Sequence, residues 1–260
     1  MSSEHKGAGM RALPEWWVTV CRGILVVGLP IALTLTNVRL LMTPAFPEIE
    51  YNLPDFPADF YGFTRDDRLY WAKRSIGYIL GDARVGPVEA WKFSDDGRAP
   101  VGTTAPAGTE TCSFYGDDYG PRDCTYFYND REVRHMVDVR RVVSAALLVW
   151  ALAGLLVLAA IAALAYFRRT AALRWGLLTG AAVTWILYIF VVLFVVVGFQ
   201  QFFTYFHRVF FEGDTWIFLW SDSLIRLFPL KFWFDAFLFV GLATLAEAAL
   251  AAALAWRGLK

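Results

Sequence analysis

The sequence predicts an all-α membrane protein with four transmembrane helices and an extracytoplasmic domain between helices one and two. Three observations predict it. Apolar residues make up 57% of the 260 positions and charged residues 18%, below the roughly 25% typical of soluble domains. The apolar residues gather in long runs: 142–167 and 175–206 hold no charged side chain. Lys and Arg cluster beyond alternate ends of the apolar runs, as in a chain that crosses and returns. A bilayer core of about 30 Å needs about 20 apolar residues at a rise of about 1.5 Å each, and both runs suffice.

The elements follow in order. Residues 1–15 form a cytoplasmic tail and 16–42 helix one, with Arg22 and Arg39 near enough to its ends to snorkel. Leu40-Leu41-Met42 offers no small-x-small cleavage site, so this helix is expected to be a retained anchor. Cys21 opens the apolar run, which excludes a lipoprotein signal. Residues 43–141 form the extracytoplasmic domain, 142–167 helix two, 168–174 a cytoplasmic turn and 175–199 helix three. An extracytoplasmic aromatic loop spans 200–231. Helix four spans 232–256, with Glu247 its interior charge, and 257–260 close the chain. Lys6 and Arg11, then Arg168, Arg169 and Arg174, then Arg257 and Lys260 place both termini in the cytoplasm. The expected location is the plasma membrane, multi-pass.

Within the extracytoplasmic domain, Pro44, Pro47, Pro54 and Pro57 favour extended or turn backbone. Thr64 caps a helix with acidic residues in its first turn. Leu69, Ala72, Ile76, Ile79 and Leu80 carry the helical period, and Gly81 ends it. Gly, Pro, Thr and Asp over 85–121 predict loops or short strands. Cys112 and Cys124, in an oxidising compartment, are expected to form a structural disulfide. Asn129 or Asp130 caps a helix that continues through His135 into helix two.

A net charge of zero argues against a nucleic-acid partner. Four helices with almost no intramembrane charge offer no ion path. There is no G-x-S-x-G elbow, H-E-x-x-H pair, P-loop or G-x-G-x-x-G, and no metal site is expected. Histidine is scarce, so its placement is informative. His135 precedes helix two and His207 follows helix three, on the same side and at similar depth. Imidazole also suits a membrane interface, but two beside charged groups point to chemistry. Glu132, His135 and Asp138 share a helix face, where a carboxylate can orient the ring and stabilise its protonated form. After His207 come Phe210, Phe211 and Trp216, expected to hold lipid. Asp222 and Arg226 follow among apolar neighbours.

Tyr51-Asn52-Leu53-Pro54-Asp55, Glu132-Val133-Arg134-His135-Met136-Val137-Asp138-Val139, Phe206-His207-Arg208-Val209-Phe210-Phe211 and Asp222-Ser223-Leu224-Ile225-Arg226-Leu227-Phe228-Pro229 resemble the motifs of one bacterial membrane family. Many of its members carry only a domain-of-unknown-function label, and its characterised member is the lipoprotein intramolecular transacylase. The similarity covers the four helices and both outward loops. It departs over 85–127, which is longer and cysteine-bearing.

The resemblance implies transfer of an acyl chain from the glyceryl sn-2 ester of a lipoprotein's N-terminal cysteine to that cysteine's α-amino group. The substrate supplies both nucleophile and acyl donor, so no metal or organic cofactor is required. His135 is then expected to be the general base, supported by Glu132 and Asp138. His207 or Arg226 would steady the oxyanion, and the two histidines could exchange roles. The partners would be a diacylglyceryl-modified lipoprotein or other lipid substrate, and the bilayer. The alternative class is a non-enzymatic lipid-binding or scaffold protein.

Overall fold

The computed structural model describes residues 13–59, 63–92 and 126–258. These residues are almost wholly helical: α1 (Glu15–Leu41), α2 (Ala45–Glu50), α3 (Arg65–Ile79), α4 (Asp130–Tyr166), α5 (Thr170–Phe210), α6 (Ser223–Leu227) and α7 (Leu230–Gly258). Among them α1, α4, α5 and α7 are long and apolar enough to cross a membrane. The expected Cys112–Cys124 disulfide lies outside the described residues; Cys21 is a buried free thiol.

The chain divides into two compact units. One comprises the described residues within 1–36, 149–191 and 241–260, the other those within 37–148 and 192–240. In the first, α1 packs on three helices. Val18, Leu25, Val157, Leu164 and Leu173 form one cluster, and Leu29, Ala181 and Ala248 another. Small residues allow this approach, since lipid tails give apolar helices no hydrophobic reason to associate. A Cβ on Gly180 would lie 2.6 Å from the Leu25 carbonyl oxygen, and one on Gly28 would lie 2.8 Å from Val157 Cγ2. Trp150 Nε1 donates to Thr36 Oγ1 at 3.0 Å. Thr34 and Tyr188 share a hydroxyl hydrogen bond, which meets the polar needs of both in an apolar setting.

The second unit has an aromatic core. Trp71, Trp91, Phe127, Tyr128, Leu227 and Phe232 are all buried there, with Trp71 stacked on Phe127 at 3.8 Å between centroids. Helix α3 starts at a capping box: Thr64 Oγ1 accepts from Asp67 N, and Asp67 Oδ2 accepts from Thr64 N. It runs out two residues before Gly81, whose φ of +81° suits glycine. Two 3₁₀ turns, Ala83–Val85 and Val88–Ala90, follow. An antiparallel bridge between Lys92 and Tyr126 then brings the strand-like ends together.

Helix α5 runs on to Phe210, past the position where the sequence pattern opens a loop at 200. Its backbone breaks once, at Gly198, with φ −140° and ψ 50°. Beyond the break, Phe199, Phe202 and Phe206 pack edge-on against Phe234 and Phe237 of α7. Aromatic residues at helical spacing therefore extend the helix instead of forming a loop.

Candidate active site

The site is assembled in the second unit, on polar extensions of α4 and α5 outside the charge-free runs. Asn129 caps α4. Its Oδ1 accepts from Arg131 N and Glu132 N, and Glu132 Oε2 accepts from Asn129 N at 2.8 Å, a capping box extended by one donor. One turn further along stands His135. On α5, His207 sits on the last turn, its Nδ1 2.8 Å from the Phe203 carbonyl oxygen.

The two imidazoles face each other. Their ring centroids lie 6.2 Å apart with planes inclined by 22°, and both residues are buried, 6% and 8% exposed. Aromatic rings surround them: Phe211 at 4.8 Å and Phe218 at 5.2 Å from His135, Phe203 at 4.1 Å and Trp216 at 5.0 Å from His207. Burial first, and then the nearby His207, push the His135 imidazolium down to about 4. Burial also lowers His207, against the hydrogen bond to Phe203. Both rings are therefore neutral near pH 7. A carbonyl only accepts, so Nδ1 of His207 carries the hydrogen and Nε2 the lone pair.

Several expected supports are engaged elsewhere. Glu132 is buried, but its carboxylate serves backbone: Oε1 accepts from Leu224 N at 2.7 Å and Oε2 from Asn129 N. Asp138 accepts from Arg141 at 3.1 Å. His135 Nδ1 has no hydrogen-bond partner, so the expected carboxylate orientation and stabilisation of its cation are absent. Desolvation decides its charge instead. Arg226 forms a two-point hydrogen-bonded pair with Asp59, at 3.2 and 3.0 Å, over the face of Phe63. It locks α6 to the segment before α3.

Asp222 joins the loop to α4, with Oδ1 accepting from Asn129 Nδ2 and Oδ2 from Leu219 N. Of the expected lipid-holding residues, Phe211 and Trp216 line the histidines. Phe210 packs on Phe206 and remains exposed. The structure adds Phe203, Phe218 and Asp59 to the site and its frame. Phe203, four positions before His207, is legible as a helical neighbour; Asp59 has no local signal. Among the described residues no group of three His, Cys, Asp or Glu side chains is placed to hold a metal.

The sequence and the fold have relatives. Residues 109–233 match the family model described as lipoprotein intramolecular transacylase Lit. That stretch is similar to the Lit family. That family is one of transacylases, so acyl transfer is its enzymatic class. The chain is also 26% identical over 219 residues to an uncharacterized protein of Aquifex aeolicus (strain VF5), covering 84% of this chain and 85% of that one. Its fold matches the membrane-integral Lit of Bacillus cereus with a TM-score of 0.68 at 17% identity, over 95% of this chain and 97% of that chain. A variant of that Lit with a histidine replaced by arginine matches at 0.61 and 18% identity, over 94% and 92%. The Lit likeness and the four apolar helices make this chain a multi-pass membrane protein.

Proposed function

We propose that the chain is an intramolecular transacylase that makes lyso-form lipoproteins, moving an acyl chain from the sn-2 glyceryl ester to the α-amino group of the N-terminal cysteine. The observation that carries this reading is the buried His135–His207 pair inside an aromatic box, within a region that matches the Lit family model. An α-amine with a pKa near 8 is mostly protonated at neutral pH and attacks only after losing a proton. That first proton goes to solvent; the neutral amine must shed a second as the C–N bond forms, and a neutral imidazole is the side chain suited to take that one.

His207 is the better base of the two, because the Phe203 carbonyl fixes its tautomer and leaves Nε2 free to accept. Nε2 takes a proton of the already neutral amine as its nitrogen attacks the ester carbon. The C–N bond forms, the sn-2 C–O bond breaks, and the imidazolium returns its proton to the departing glyceryl oxygen. His135 supplies the second polar edge of the pocket, orienting the ester. Phe211 and Trp216 flank the acyl chain. Substrate provides nucleophile and leaving group in one molecule, so the protein's contribution is orientation and proton transfer.

In this reading the site faces outward and both termini face the cytoplasm, as the Arg-rich 168–174 turn favours. The decisive experiment is mass spectrometry of a lipoprotein's N-terminal peptide from a host lacking the N-acyltransferase and expressing this chain. The lyso form is expected. An unchanged diacyl form overturns the enzyme in favour of a lipid-binding scaffold. A reporter active only outside the cytoplasm is expected to work after Gly102 and fail after Thr170; the reverse pattern overturns the orientation.

A further inference from the structure

Acyl transfer through a tetrahedral intermediate needs a donor aimed at the oxygen on which charge develops. Arg226, the sequence's cationic candidate, is committed to Asp59, with both side chains almost fully buried at 4% and 3% exposed. The donor must come from elsewhere around the histidines.

Trp216 offers a donor beside the histidines. Its ring centroid lies 5.0 Å from that of His207, with planes inclined by 33°. Its Nε1 is buried and has no hydrogen-bond partner, and the same holds for Thr215 Oγ1 next to it. An indole N–H only donates. A buried donor without an acceptor is destabilising, and native folds keep few of them. Here the orphan stands beside the base. The loop that carries it presents Phe211 and Phe218 to His135. Two hydrogen bonds hold it: Arg131 Nη1 to the Ile217 carbonyl at 2.9 Å, and Leu219 N to Asp222 Oδ2 at 2.7 Å. Trp216 is thus tethered to the start of α4, the element that carries His135.

We propose that the Trp216 indole N–H, with Thr215 Oγ1 beside it, is the oxyanion donor of the transacylation step, an inference that rests on acyl transfer at the His135–His207 pair. As the amine attacks, the carbonyl π pair moves onto oxygen and Nε1–H hydrogen-bonds to that oxygen without transferring its proton. When the intermediate collapses, the pair returns to reform C=O, the sn-2 C–O bond breaks, and the proton held on His207 Nε2 leaves with the glyceryl oxygen. A dry donor of this kind stabilises the transition state more than the neutral ester.

The test uses the full chain in detergent with a synthetic diacylglyceryl-cysteine peptide and a phosphonate mimic of its tetrahedral intermediate. Trp216→Phe keeps an aromatic ring and removes the donor. The expected result is a fall in kcat of about 10²–10³-fold, as for loss of one oxyanion donor, with KM within a few-fold and phosphonate affinity lowered in step with kcat. Because phenyl is smaller than indole, 3-benzothienylalanine at position 216, which puts sulfur in place of N–H, is the shape-matched second variant and should show the same split. Wild-type kcat and phosphonate affinity in either folded variant overturn the inference, and so does a loss that appears in KM and thermal stability alone. A wild-type protein that leaves the peptide unchanged overturns the acyl-transfer reading itself, and this inference with it.

Discussion

The side-chain amide of Asn129 donates to Asp222 Oδ1 at 3.0 Å, joining the cap of α4 to the start of α6. Glu132 closes the same junction from the α4 side, through Leu224 N at 2.7 Å. The junction sets where His135 points. Glu132→Ala leaves two backbone donors without their acceptor, and each buried orphan costs about 1–3 kcal/mol. The expected outcome is a melting temperature in detergent lowered by several degrees, with activity falling in parallel. Unchanged melting would show that the junction does not hold the site.

Gly180 tests the packing of the first unit. Its missing Cβ would lie 2.6 Å from the Leu25 carbonyl oxygen and 3.3 Å from Leu29 Cβ. Backbone cannot rotate aside, so Gly180→Ala should destabilise by about 1–3 kcal/mol, the usual cost of overpacking. Gly154 has nothing within 4 Å, and Gly154→Ala should be neutral or stabilising by up to about 1 kcal/mol through helix propensity. Thermal unfolding of the pair separates close approach from a general intolerance of substitution.

Glu50 is a buried carboxyl with a pH signature. It is hydrogen-bonded to Asp235, with Lys231 and Asp55 nearby. Burial first, then the Asp235 hydrogen bond and charge, push it from 4.5 up to about 8. Lys231 also bridges to Asp55 at 3.0 Å and pairs with Asp235. Between those two values the unfolded chain has lost a proton that the folded chain keeps. This group therefore makes stability fall as pH rises through the window. Glu50→Gln keeps a neutral, hydrogen-bonding side chain and should flatten that fall. Melting curves at about pH 5 and about pH 8 give the comparison, and equal slopes in both proteins would refute the assignment.

The long-range order of this protein was legible where a local signal existed. Two charge-free runs and two further apolar stretches marked four helices, Thr64 and the Asn129-Asp130 pair marked two caps, and Gly81 marked one stop. Two scarce histidines were legible as partners because the period of α4 and the end of α5 set their depth. What escaped was pairwise chemistry. The sequence places Glu132 one turn from His135, yet its oxygens are claimed by the amides of Asn129 and Leu224, and a tertiary contact from α6 leaves no local trace. Arg226 likewise reads as an oxyanion candidate until Asp59, held in a separate segment, takes its Nε and Nη2 donors. Periodicity also assigns a face to each residue without saying how dry that face is, and dryness sets the histidine charge.

That charge is the most direct test of the site. The sequence pattern places His135 between two carboxylates, which would hold its imidazolium above 6.5. In the fold, burial and His207 take it down to about 4. The sign follows. An unfolded His135 protonates near 6.5 and the folded one only near 4, so its contribution to stability is full above the upper value and is lost as pH falls through the window. Proton NMR of the imidazole resonances, assigned with His135→Ala, His207→Ala and His5→Ala (His5, in the 1–15 tail, being the third histidine of the sequence), should show one ring titrating far below 6.5 and a second displaced in the same direction. The same variants measure catalysis. Loss of either paired histidine should lower activity by about 10²–10⁴-fold in protein that still inserts and purifies, while His5→Ala should leave it unchanged. A His135 resonance titrating at or above 6.5 would restore the carboxylate partnership and make this ring the proton carrier in place of His207.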